Sequence, residues 1–147
     1  KGEQAAQYHT IYLRTSDAYV DILNPGVTRQ FLALTHEQYF ARFAASFGKE
    51  LLGFFTDEPQ YYRYATPITR IAEEKYRAEY GEDLKEGLLW LFLKDERGYP
   101  FRIRYYNFLN RLYCENFYRI VYDWCNAHDC MLTTDVGRSG LCDELSV

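Results

Sequence analysis

Between Pro100 and Ala127 the polar residues Asn107, Arg111, Glu115, Arg119 and Asp123 recur every fourth position, and most other positions are apolar or aromatic. Proline suits the first turn of a helix, where its missing N–H would have had no partner. The run therefore predicts one long helix from Pro100 to about Ala127. Opposite charges along the stripe are spaced to pair at i,i+4. Such a narrow polar stripe leaves Tyr105, Tyr106, Phe108, Leu109, Leu112, Tyr113, Phe117, Ile120, Val121 and Trp124 to be covered. A helix apolar around most of its circumference has to be enclosed on several sides, so the rest of the chain must wrap it.

Three short runs have strand character. Tyr8–Arg14 is rich in aromatic and β-branched residues with a rough period of two. Leu51–Thr56 is a short apolar run, read as a strand buried on both faces, of the kind found in parallel sheets. Cys130–Thr134 follows a turn at His128-Asp129, where aspartate tolerates the left-handed conformation. Helical patterns fill the gaps. Asn24-Pro25 combines a cap with a first-turn proline and predicts a helix to about Phe47, with Leu32, His36, Tyr39, Phe40, Phe43 and Phe47 as its buried stripe and Gly48 as its end. Thr66-Pro67 opens a second helix, closed by Tyr80-Gly81. Asp83 with Glu86 resembles a capping box for a third, ending near Gly98. Strands separated by helices imply parallel pairing. The expected fold class is α/β with predominantly helical content and about three parallel strands.

Several classes are disfavoured by the totals. The 48% hydrophobic and 26% charged residues fit a folded chain rather than a disordered one. A net charge of −4 offers a phosphate backbone no general attraction, and the clusters Tyr61–Tyr64 and Arg102–Tyr106 read as amphipathic packing, so no nucleic-acid partner is expected. The longest apolar run, Leu88–Leu93, falls well short of the ~20 residues of a membrane-spanning helix, and no membrane partner is expected. With 15 Tyr, 10 Phe and 2 Trp, rings remain for flat ligands after a core is built. Lys1 leads almost at once into strand-like sequence, which reads as a chain cut at both ends. Cys125, His128, Cys130 and Cys142 lack the paired C-x₂₋₄-C spacing of zinc sites. The thiols read as reduced and partly buried, and no metal site or cofactor is assigned. His36-Glu37-Gln38-Tyr39-Phe40 lacks the second histidine of a zinc-protease helix, so His36 reads as a satisfied core or interface histidine.

In parallel α/β folds the chemistry lies at the carboxyl ends of the strands. That rule selects Arg14–Asp17, Thr56–Pro59 and Thr133–Asp135, and each stretch carries an acid. Pro59 biases Glu58 toward extended angles, which would project its carboxylate from a strand end. Asp57 and Glu58, as strand neighbours, would point to opposite sides and would not form a dyad. Glycoside hydrolysis generally uses two carboxylates flanking the bond, so a second acid would come from another strand. The same three residues, Asp57-Glu58-Pro59, also fit the start of a helix, where acids are common.

Tyr19–Pro25, Phe31 with Thr35–Tyr39, Phe47–Lys49, Gly53–Pro59 and Tyr122–His128 leading into Leu132-Thr133 together resemble large bacterial glycoside hydrolases. The resemblance is to the α-L-rhamnosidase-like enzymes of glycoside hydrolase family 106 and related barrels. It covers nearly the whole chain and is most specific over residues 19–59. It implies a partial (β/α)-barrel segment that acts on plant or microbial glycans, with a carbohydrate substrate. Glu58 would be the catalytic general acid, and Asp57, Tyr61 and Asp135 would bind substrate. Many relatives carry Gly-His where this chain has Thr134-Asp135, which puts the substrate contact there in question. A whole barrel takes ~250 residues, so a segment with about three of eight strands is expected to be inactive alone and prone to self-association. The rival reading is a non-catalytic helical α/β module that binds a partner or a carbohydrate through aromatic surface.

Overall fold

The computed structural model of the chain describes residues 8–15, 19–57, 59, 61 and 66–134. These residues are mostly helical, with one small parallel sheet. Helix α1 spans Pro25–Leu34 and α2 spans His36–Phe43, followed by a 3₁₀ turn at Ala44–Ser46. Strand β1 is Gly53–Thr56. Helices α3 (Arg70–Tyr80), α4 (Leu84–Gly87) and α5 (Leu89–Phe92) lead to α6 (Tyr99–Tyr113), a π turn (Cys114–Tyr118), α7 (Arg119–Ala127) and strand β2 (Met131–Thr134).

Local end signals act as their chemistry dictates. The Asn24 side chain accepts from the Gly26 N–H at 2.9 Å and caps α1. Gly81, at φ 68°, ends α3, and Asp83 caps α4. Asp129 adopts φ 54° in the turn before β2.

The helix expected from Asn24 to Phe47 is broken at Thr35. The Thr35 hydroxyl donates to the Phe31 carbonyl at 2.7 Å, and its oxygen lies 2.8 Å from His36 Nδ1. Such back-bonding competes with the helical ladder and bends helices. Here the backbone leaves the helical region altogether, at φ −122° and ψ −78°. The break turns His36 inward but leaves Tyr39 and Phe43 about half exposed, so they are not part of a buried stripe.

Two other expected helices change their bounds. Residues 66–69 are not helical; the cap is Thr69, whose hydroxyl accepts from the Ala72 N–H at 3.3 Å. The helix expected from Asp83 to Gly98 is divided at Leu88 and ends at Phe92. Arg102 on α6 explains that end. Its guanidinium donates to the carbonyls of Trp90, Leu93 and Asp95 at 2.6, 2.9 and 2.8 Å, which satisfies oxygens that a continuing helix would have used itself.

The long C-terminal helix is present, with a π turn at its centre. All five stripe positions from Asn107 to Asp123 are exposed. In a regular α-helix, positions four apart drift by about 40° per step, so five of them would wander around the axis. The wider π turn takes up part of that drift. Arg111 pairs across to Glu79 on α3 at 2.5 Å instead of along the stripe. Tyr105, Phe108, Leu109, Leu112, Val121 and Cys125 are almost completely buried and form the centre of the core, whereas Tyr106 is exposed.

Strand β1 pairs in parallel with β2, Gly53 opposite Met131 through Thr56 opposite Thr134. Gly53 is required there, because a Cβ would stand 2.5 Å from the Met131 carbonyl oxygen. The sheet is covered on one face only. Phe54 and Leu132 pack on the core, while Phe55 and Met131 on the other face are 68% and 58% exposed. The strand expected to be buried on both faces is therefore half open. Residues 8–15 form no strand. Strand propensity expresses the fit of a side chain to a pleated, half-buried surface, and Tyr8 and Tyr12 have no such surface, being 86% and 88% exposed.

Candidate functional site

The carboxyl ends of β1 and β2 lie side by side, because the strands are parallel and in register. Thr56 and Asp57 leave β1, and Thr134 ends β2. Asp57 is exposed. Glu58 and Asp135, expected as general acid and substrate contact, lie outside the described residues, as does Asp17.

Two tyrosines, Tyr113 just before the π turn and Tyr118 at its last position, reach both strand ends. The Tyr113 hydroxyl donates to the Pro59 carbonyl, and the Tyr118 hydroxyl lies 3.3 Å from Thr134 Oγ1. Their rings meet edge to face at 5.0 Å, and Tyr61 rests on Tyr113 at 5.2 Å. Asn116, inside the π turn, donates to the Leu23 carbonyl at 2.7 Å. The π turn thus ties the segment after β1, the end of β2 and the loop before α1 to a single helix. Such turns often accompany functional sites.

Tyr61 also lines a cavity of about 740 Å³ between residues 11–15, the loop 19–23 and the approach to α3. Asp21 is in its wall. The Asp21 carboxylate accepts from the Leu23 N–H at 3.1 Å and is bonded by the Thr69 side chain. Burial raises its proton affinity above that of an ordinary aspartate, and those two hydrogen bonds oppose the rise. Of the residues singled out in the sequence for substrate binding, Tyr61 is placed at this cavity and Asp57 at the adjoining strand end. Asp21, Tyr113 and Tyr118 were missed as site residues. Asp21 sits in a loop without period, and the tyrosines look like ordinary core residues of a long helix.

The remaining candidates have structural roles. His36 is buried, stacked on Phe54 at 4.2 Å and edge-on to Trp124 at 5.2 Å. It is the satisfied core histidine expected. The neighbouring Glu37 accepts from Trp124 Nε1 at 2.6 Å. Cys125 and Cys130 are buried free thiols. Burial pushes the Cys125 thiol up to about 12 and raises that of Cys130 as well. His128 Nδ1 lies 2.7 Å from the Trp124 carbonyl, and Cys142 lies outside the described residues. Among the described residues no group of three His, Cys, Asp or Glu side chains is placed to hold a metal ion, and no helix is long and apolar enough to cross a membrane. Arg104 is engaged with Glu82 at 2.5 Å.

Compared with protein-family models, curated proteins and solved structures, the chain matches none.

Proposed function

We propose that this chain is part of the (β/α)-barrel catalytic domain of a glycoside hydrolase acting on glycans of α-L-rhamnoside type. Glu58 is the general acid, and Asp57, Tyr61 and Asp135 contact substrate. The observation that supports this reading best is the parallel, in-register pairing of β1 with β2, with Asp57 at its carboxyl edge. In parallel α/β architectures that edge is where substrates bind. The open sheet face with Phe55 and Met131 then belongs to the barrel interior, which side chains of the other strands fill. Alone, the chain would cover that face by self-association.

The test is Glu58→Gln in the protein that carries the complete barrel. General-acid catalysis typically contributes ~10²–10⁴-fold. The substitution keeps the shape and removes the proton. Turnover of glycosides with poor leaving groups should fall by that order, and activated aryl glycosides should lose less. Near-wild-type rates on both classes would remove Glu58 from the mechanism, and absence of turnover by the wild type on either class would favour the non-catalytic module.

A further inference from the structure

The cavity beside the strand ends has a built wall. Asn116 of the π turn holds the Leu23 carbonyl, and the buried Tyr105 hydroxyl donates to the Pro67 carbonyl. The Asp21–Thr69 bond closes the gap between those two segments. Tyr19, Tyr61 and Phe92 supply ring surface around it, and Asp21 and Thr69 supply polar groups. Its volume lies within the ~300–1,000 Å³ usual for small-molecule sites, which combine apolar walls with a few fixed polar groups.

The charges along the wall select the ligand class. Arg14, Asp21 and Glu73 are its charged residues. Glu73 is neutralised by Lys85 at 2.7 Å, and Arg14 balances Asp21. A wall with no net charge does not favour a strongly charged ligand. Rings beside a carboxylate and a hydroxyl suit a neutral ligand with an apolar face and a hydroxyl-bearing rim, and a pyranose has both.

We propose that this cavity is a neutral-pyranoside subsite, with Asp21 as the hydrogen-bonding anchor and the Tyr19 and Tyr61 rings as its apolar flank. The proposal rests on the glycan reading above. Tyr61 connects the two places, since it lines the cavity and packs on the tyrosine that holds Pro59.

The test measures binding and needs no turnover. Methyl α-L-rhamnopyranoside, methyl β-D-glucopyranoside and methyl β-D-glucuronide are titrated by calorimetry into the protein carrying this chain, as wild type, Asp21→Asn and Asp21→Ala. Asp21→Asn keeps an acceptor for the Leu23 N–H and so guards against misfolding. At least one neutral pyranoside should bind. Its affinity should fall about tenfold in Asp21→Asn and further in Asp21→Ala, as expected for loss of a charge-assisted hydrogen bond. The glucuronide should bind more weakly than the neutral sugar that binds best. Failure of both neutral sugars to bind, unchanged affinity in both variants, or preference for the glucuronide would each overturn the subsite. If binding depends on Asp21 while the wild-type protein turns over neither class of glycoside, the hydrolase reading fails and the subsite stands.

Discussion

His36 should give the fold a stability that depends on pH near neutrality. Its ring is 6% exposed, stacked on Phe54 at 4.2 Å and bounded by Phe31 and Trp124 at 5.3 and 5.2 Å. Desolvation is the largest influence on it and lowers its pKa, while the Glu37 carboxylate partly opposes this. Glu37 is itself engaged by Trp124. Because the Thr35 hydroxyl donates its proton to the Phe31 carbonyl, its oxygen can accept from a neutral Nδ1–H. The folded state therefore prefers neutral imidazole, whereas in the unfolded chain histidine titrates near ~6.5. Between the lowered folded value and that unfolded value, the unfolded state binds more protons. The stability is thus fully present above about pH 6.5 and is lost as pH falls through that window. One proton sets a ceiling of about 1.4 kcal/mol per pH unit. Asp21, raised by burial, acts in the opposite sense, since its contribution is lost as pH rises through its folded value. The assay is urea unfolding at pH 7.5 and 5.5 for wild type and His36→Phe, comparing slopes with pH rather than absolute stabilities. Wild type should lose more stability on acidification than the variant. Equal slopes would refute the assignment of the pH dependence to His36.

Gly87→Ala should destabilise by about 1–3 kcal/mol, the usual cost of overpacking, because the new Cβ would stand 2.0 Å from the Phe101 ring; an unchanged unfolding midpoint would contradict this packing. Cys125 and Cys130 should resist iodoacetamide at pH 7.5 until urea unfolds the chain, since both are buried and their thiols are held protonated. Mass spectrometry showing rapid native alkylation at either residue would count against that environment.

Features set by a few neighbouring residues were legible from sequence. Asn24 and Gly81 end their helices through contacts within one turn, and Asp129 takes the left-handed turn expected of it. The polar stripe from Asn107 to Asp123 marked the wet side of the long helix, and the π turn at its centre offsets part of the drift of its fourth-spaced positions. Strand and helix order was enough to anticipate that β1 and β2 run parallel, and hence where their carboxyl ends lie. Features that depend on distant partners were not legible. Thr35 looked like one more helical residue until its hydroxyl took the Phe31 carbonyl and swung His36 into the rings of Phe54 and Trp124. The end of α5 is set by Arg102 reaching back to it, and Tyr8–Arg14 has strand composition without a sheet edge to join. The cavity at Asp21 needs a loop, the approach to α3 and a π turn to converge. Periodicity reports which side of an element prefers to be dry. Which partner covers that side, and which polar group is caught beneath it, is decided only when segments far apart in the chain compete for the same space.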